Sequence, residues 1–495
     1  MPKISKIKDN IVTLEGKFKY KQDQYFKLSS NSKGFVLSAT ADEAKLLVIG
    51  DPSELKINSS VKTTTDTSSV EVKDDYFGTI ITPIGETIHP KGKTSKGKVY
   101  AKGDLDSKTP SILDRVPLNK PLDTGLLVID TMIPIGLGQR ELIIGDRNTG
   151  KTTIALNAII NQREKDTKVI YVAIGQKRNS VIQSYNILKD NKALKNTIIV
   201  FANPDSSAEQ FLAPKIGMAM AEAIAYKGND VLIVFDDLTK HANVYREVSL
   251  SIGRNPGREA YPTDIFYQHS SLLERAGSFN KKYNNGTITA LPIVETVQGD
   301  IASLIPSNVV SITDGQIFTS HDMFNNGEYP AIDVQLSVSR TGSAVQSKMI
   351  KRISKSMKSE HAKLFEIKKF AEMSIDVSDD LSKKIEQWHG MNNILLQFGY
   401  VGYSREMIVI LIEMFKAGAM GRLKSPRDFS LVIQKFINED EVGKIIANKI
   451  KSGKITKLEL KKAIEGIFTP LALAASGEAG KLFSENEIEE MKGGN

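Results

Sequence analysis

Apolar residues in the first part of the chain come in short runs: Ile11 to Leu14, Gln24 to Leu28, Gly34 to Ser38 and Ala44 to Ile49. Turn-forming pairs such as Asn31-Ser32 and Asp51-Pro52 separate them. A spacing of about ten residues between such runs predicts a small β-barrel or sandwich. The Ser-, Thr- and Lys-rich segment 58–69 closes it. Residues 74–120 carry Gly and Pro punctuation with little helical period, which predicts a connecting region at the entrance of the next domain. Strands and helices then alternate. The strand candidates are ELIIG, VIYVAIG (169–175), NTIIVFA (196–202) and DVLIVFDD (230–237), with a helix near Pro214 to Tyr226. Uncharged apolar strands of this kind sit inside a parallel sheet covered on both faces. Beyond Val345 the period turns helical. Met349, Ile353, Met357, Leu364 and Phe370 are expected in a bundle core, as is the apolar helix Met407 to Phe415. Asp376, Asp379 and Asp380 fall between the first two of these helices, and the segment from Ala474 onward is expected to fray. The reading is multidomain: an N-terminal β-barrel (1–75), a central α/β domain (76–345) and a C-terminal α-helical bundle (346–495).

One junction carries chemistry. The strand Leu142, Ile143, Ile144 runs into Gly145-Asp146-Arg147-Asn148-Thr149-Gly150-Lys151-Thr152-Thr153, and a helix with Ile154, Leu156, Ala158 and Ile160 follows. This is a P-loop in its required strand-to-helix context. Glycines let successive N–H groups face a polyphosphate, and the helix N-terminus adds positive potential. Lys151 reaches the terminal phosphates and the Thr152 hydroxyl offers a ligand to Mg²⁺. In DVLIVFDD a buried strand ends in Asp236, a carboxylate placed to orient Mg²⁺ or its waters beside Thr152. The expected ligands are therefore ATP or ADP with Mg²⁺.

Composition excludes other chemistry. No cysteine occurs, so disulfides, thiolate nucleophiles and cysteine-bound zinc are ruled out, and the six histidines show no metal-ligand spacing. The start, MPKISKIKDNIVTLEG, lacks the apolar core of a signal peptide. No apolar run approaches the roughly 18 residues that span a bilayer, so the chain is expected to be cytoplasmic, at most peripheral on the inner face of the cell membrane. The net charge of +8 comes from lysines spread over the whole length, which reads as solvated surface and not as a nucleic-acid groove.

In order and at matching spacing, GDRNTGKT, YVAIGQKR, VLIVFDDLTKHANVYREVSL, PGREAYPTDIFYQHSSLLERA, ITALPIVETVQGDIASLIPSNVVSITDGQIF and PAIDVQLSVSRTGSA resemble the α subunits of rotary F-type ATPases (ATP synthases). The likeness covers nearly the whole chain and is densest over 120–345. It implies a hexamer of alternating α-type and catalytic β-type subunits around a rotating γ-type stalk, in which the α-type chain binds nucleotide without turning it over. Where catalytic relatives place a Glu after the strand following the P-loop helix, this chain has Gln176, and an amide cannot accept a proton. Arg340 in SVSRTGS is the implied arginine finger, reaching into the neighbouring β-type site, with Ser337 and Ser339 positioning its turn.

Departures from the family qualify this picture. The usual extra N-terminal helix that attaches the stator is not evident, which leaves a stator partner open. The family's adenine pocket uses two glutamines and an arginine, at positions that align here with Phe398, Tyr400 and Tyr329. Aromatic rings at these places offer stacking to a base whose identity is open. Asn148 stands where the family commonly has Gln. Two uses of such a ring stay open, an ion-coupled synthase and a dedicated ATP-hydrolysing motor not coupled to proton transport. A Rho-like hexameric RNA translocase would need a Glu at position 176 and basic grooves with stacking aromatics, which the N-terminal region does not cluster. The last alternative is a purely structural ring subunit with an empty site.

Overall fold

A computed structural model describes residues 2–20, 24–30, 32–63, 69–92, 96–105, 107–373, 379–418 and 426–475. Asp376, the segment 64–68 and the expected frayed end 476–495 lie outside these residues. The chain divides into two compact units. The first comprises residues 1–120, 136–319 and 339–341, and the second 121–135, 320–338 and 342–495.

The first unit opens with β1 (Lys3–Lys8), β2 (Ile11–Glu15), β3 (Tyr25–Lys27), β4 (Lys33–Ala39), β5 (Glu43–Ile49) and β6 (Lys62–Thr63), hydrogen-bonded in the order β1-β2-β5-β4-β3-β6. The sheet closes on itself. Ile4 N donates to Ser59 O (3.0 Å), Asn58 N to Ile4 O (2.8 Å) and Val61 N to Pro2 O (3.0 Å). Strand side chains alternate in direction, and both sets are used. Val12, Leu14, Phe26, Val36, Leu46 and Val48 fill the barrel, while Phe35, Leu37, Leu47 and Ile49 join the core of the neighbouring α/β layer.

The segment expected to be a plain connector is more ordered than its pattern predicts. β7 (Ser69–Lys73) pairs with β10 (Val99–Asp104), and β8 (Ile80–Ile81) with β9 (Thr87–His89) forms one edge of the main sheet. β8 and β9, of two and three residues, are too short to show a period of two. Then come β11 (Pro121–Leu122), α1 (Leu127–Met132), β12 (Ile135–Gly136), β13 (Leu142–Gly145), α2 (Lys151–Ile160), β14 (Lys168–Ile174), α3 (Arg178–Asp190), β15 (Thr197–Ala202), α4 (Ser207–Ala225), β16 (Asp230–Asp236), α5 (Leu238–Ser251), α6 (Ile265–Leu273), β17 (Gly277–Ser278), β18 (Thr287–Glu295), α7 (Leu304–Ile312) and β19 (Gly315–Thr319).

The main sheet of this unit runs β19-β13-β18-β16-β14-β15-β8-β9. Its central pairs are parallel, with Ile143 opposite Ile293 and Val172 opposite Phe235. Buried on both faces, these strands need no polar side, which explains their uninterrupted apolar sequences. Helix α4 begins earlier than the Pro214 onset expected. Ser206 caps it by accepting from Glu209 N (3.3 Å), and Pro214 lies inside the helix.

A buried imidazole pair joins α5 to α6. His241 Nδ1 lies 3.2 Å from His269 Nε2, and Phe211 of α4 stacks on His241. Burial first, then His269 and Lys215, pushes His241 down to about 3, and burial pushes His269 down to about 4. The unfolded chain protonates both near pH 6.5. Stability is therefore complete above that pH and declines below it by about 1.4 kcal/mol per pH unit for each histidine, until the folded values are reached. Denaturant titrations at pH 7.5 and 5.0 check this: His241→Gln should remove a large part of the difference, and an unchanged difference would contradict it.

The second unit adds α8 (His321–Asn325), β20 (Ile332–Ser339), α9 (Lys348–Met373), α10 (Asp379–Leu395), α11 (Arg405–Lys416), α12 (Pro426–Glu439), α13 (Glu441–Lys451), α14 (Lys457–Ala463) and α15 (Thr469–Ala475). Asp379 and Asp380 open α10 instead of standing in a turn before it. Ile353, Met357 and Leu364 of α9, Trp388 and Met391 of α10 and Met407 to Ile412 of α11 are buried, and these three helices pack against one another. Phe370 is 65% exposed, contrary to its assignment to the core. Six residues beyond Leu364 is about 600° of helix, or 120° off the buried stripe. Among the described residues no helix is long and apolar enough to cross a membrane.

Candidate functional site

The phosphate loop is built at the C-terminal end of β13. A Cβ at Gly145 would stand 2.1 Å from Thr319 Oγ1, so only glycine lets the loop leave the strand beside β19. Gly150 has φ 87°, the left-handed conformation natural to glycine, and starts α2. Asn148 also has positive φ (58°), where asparagine is among the best-tolerated side chains. The loop is braced from outside. Thr149 Oγ1 donates to Asp146 O (2.7 Å) and lies 2.6 Å from Thr319 Oγ1. Asp146 turns its carboxylate away, accepting from Thr296 Oγ1 (2.6 Å) and Gly299 N (2.9 Å). Arg147 is exposed and contacts Glu295 (3.3 Å). Thr153 is exposed on the first turn of α2.

Lys151 is buried, its Nζ donating to Gly145 O (2.9 Å) and to Asp146 O. Burial lowers its pKa, and the surrounding Glu295, Asp237, Asp236 and Asp146 act against that shift.

Asp236 is the hub of the site. Only 2% exposed, it accepts from Thr152 Oγ1 (2.8 Å) and Tyr171 OH (2.8 Å) through Oδ2, and from Gln176 Nε2 (3.0 Å) through Oδ1. The P-loop threonine, the strand-end aspartate and the Gln176 amide, separated by up to 84 residues in sequence, thus meet at one carboxylate. Burial and the adjacent Asp236 push the Tyr171 phenol well up, so it remains a donor. The next residue, Asp237, caps α5 by accepting from Lys240 N (2.8 Å), and burial raises it to about 6.

The oxygen donors Thr152 and Asp236 suit a hard cation, and Mg²⁺ carried by a polyphosphate needs only one or two protein ligands. Among the described residues no cluster of three or more His, Cys, Asp or Glu could hold a metal unaided. A hydroxyl and one carboxylate beside a phosphate loop fit a nucleotide-borne magnesium ion.

Other candidate residues stand elsewhere. Arg340 is exposed just past the end of β20, with its backbone N donating to Asp314 O (3.0 Å). Asp314 precedes β19, at the end of the sheet opposite the phosphate loop. Ser337 is buried, and its hydroxyl donates to Asp333 O (2.5 Å). In the second unit Tyr329 meets Phe324 (5.1 Å) and Phe398 (6.1 Å) edge to face, while Tyr400 is half-buried. Gln397, passed over in the sequence reading, fixes that loop. Its N donates to Tyr329 O (2.7 Å), and its side chain accepts from Leu127 N (2.6 Å) and donates to Gly125 O (2.9 Å).

Residues 125–339 match the model of the ATP synthase alpha/beta family, nucleotide-binding domain, and residues 346–470 match the ATP synthase alpha/beta chain, C terminal domain. The chain belongs to the ATP synthase alpha/beta family. Among similar proteins are the ATP synthase subunit alpha of Sulfurovum sp., 41% identical over 95% of this chain and 94% of that one, and that of Mycoplasmopsis agalactiae, 41% identical over 90% and 84%. The ATP synthase subunit alpha 2 of Mycoplasmopsis pulmonis is 40% identical over 91% and 88%. The barrel, P-loop sheet and helical region described above account for the span of these matches. Within the alpha/beta family the chain has the character of an alpha-type, nucleotide-binding subunit.

Proposed function

We propose that the chain is a non-catalytic, nucleotide-binding α-type subunit of a rotary ring. It binds Mg-ATP or Mg-ADP at its own P-loop and supplies Arg340 to the catalytic site of a neighbouring β-type subunit. The ring couples ATP synthesis or hydrolysis to rotation of a γ-type stalk and associates peripherally with a membrane through its complex. One observation carries the reading: the group beside the phosphate loop is the Gln176 amide, already engaged as a donor to Asp236.

Hydrolysis requires a group that orients a water or takes its proton. The Gln176 amide cannot take that proton, and one of its N–H groups is held by Asp236, which supports a site that grips without cleaving. Loop amides and the α2 N-terminus hold phosphate oxygens, Lys151 adds charge, and Thr152 with Asp236 holds the magnesium ion or its waters. Bound there, the ion would neutralise phosphate charge. Lys151→Ala in the isolated chain should weaken Mg-ATP binding about 10- to 100-fold, as expected for one charged hydrogen-bonding group of about 1.5–3 kcal/mol. Calorimetric titration measures it, and an unchanged Kd would contradict the P-loop assignment.

A further inference from the structure

The stretch leading into β13 clamps the root of Arg340 through three consecutive residues. Gln139 is fully buried, and its side-chain amide makes three hydrogen bonds. Its Oε1 accepts from Gly136 N (2.9 Å), which fixes which way the amide points. Its two N–H bonds then go to Glu141 Oε2 (2.7 Å) and Ser339 Oγ (3.0 Å). Arg140 grips Asp314 with both side-chain arms, Nε to Oδ2 (3.1 Å) and Nη2 to Oδ1 (2.8 Å), and its backbone N donates to the same carboxylate (3.0 Å). The carbonyl of Asp314 in turn receives the Arg340 N–H. Glu141 is fully buried, and its Oε1 meets no hydrogen-bond partner among the described residues.

We propose that Gln139, Arg140 and Glu141 form a positioning element for Arg340, fixing the backbone of Ser339 and Arg340 from which the guanidinium departs. The proposal rests on the reading of Arg340 as a finger acting in the neighbouring subunit. A finger on an exposed strand end is useful only if its base is held, because a displacement of about 1 Å costs on the order of 10²-fold in rate. Hydrogen bonds between buried polar groups rigidify their surroundings, and the Gln139 amide contributes three of them through its oxygen and its two N–H groups. Burial pushes the Glu141 carboxyl well above the usual range, with the Gln139 hydrogen bond, Asp314 and Arg340 as lesser influences of mixed sign. The element occupies the end of β13 opposite the phosphate loop, which separates the positioning of Arg340 from nucleotide binding by this chain.

The test is a double-mutant cycle in the ring reconstituted with its β-type subunit. Gln139→Ala should lower kcat about 10- to 100-fold and leave KM within twofold. On an Arg340→Ala background it should cause no further loss, because it acts only through that side chain. Ser339→Ala removes the other end of the same hydrogen bond and carries the same cycle if Gln139→Ala prevents assembly. Near-normal turnover with Arg340→Ala alone would overturn the finger reading and this inference together. A severe loss with Arg340→Ala, combined with either additive losses or unaffected turnover in the single variants, would overturn the positioning role alone.

Discussion

In a ring reconstituted with catalytic β-type subunits, Arg340→Ala is expected to lower steady-state turnover by about 10³- to 10⁵-fold while the hexamer still assembles. The size of the effect follows from what a guanidinium supplies. It keeps its charge at any working pH and offers a planar fork to the oxygens on which charge accumulates during phosphoryl transfer. Assembly survives because the substitution truncates an exposed side chain and leaves its root intact: the Arg340 N–H still donates to Asp314 O, and Asp314 is still gripped by Arg140. Arg340→Lys should recover little, since an ammonium presents a point charge in place of a fork. Turnover assays beside sedimentation of the ring check both halves. Activity within about tenfold of the parent would remove the finger.

The second large effect is a missing one. Isolated, the chain should bind Mg-ATP saturably without hydrolysing it, and chelating Mg²⁺ should weaken the binding. The cause lies at Asp236, where one buried carboxylate collects the Thr152 hydroxyl, the Tyr171 phenol and the Gln176 amide. A metal-side carboxylate and a P-loop hydroxyl are therefore in place, whereas the base is replaced by a donor. A carboxylate at position 176 would face Asp236 Oδ1 across the 3.0 Å now spanned by a hydrogen bond. Two like charges at that distance repel unless a cation lies between them.

Much of this site is written locally in the chain. GDRNTGKT and VLIVFDD each place their functional residues next to the glycine turn or strand end that positions them, so the P-loop and Asp236 could be read directly. Gln176 was singled out through the family resemblance, since catalytic relatives place a Glu at that point after the buried strand. Tyr171 was not: inside VIYVAI it looks like one more apolar strand residue, and only the adjacent β16 brings Asp236 to its hydroxyl. Gln139 and Ser339 lie 200 residues apart, and no local pattern links them. In the fold, β14 and β16 announced themselves as uninterrupted apolar runs, whereas the two-residue β8 could not, since its place depends on β15. Phe370 shows the limit of counting steps without summing the angle, because two three-residue steps rotate a side chain off its face. The mutual contacts of Tyr329, Phe398 and Phe324 depend on a loop whose anchor, Gln397, makes its bonds with residues 125 and 127.

The central claim is a division of labour between gripping a nucleotide and cleaving one. Equilibrium binding and product release measured on a single sample of the isolated chain, freed of contaminating ATPases, test it most directly. The account predicts saturable, magnesium-dependent ATP binding with no ADP formed above the uncatalysed background. Steady ADP production in proportion to chain concentration would contradict it.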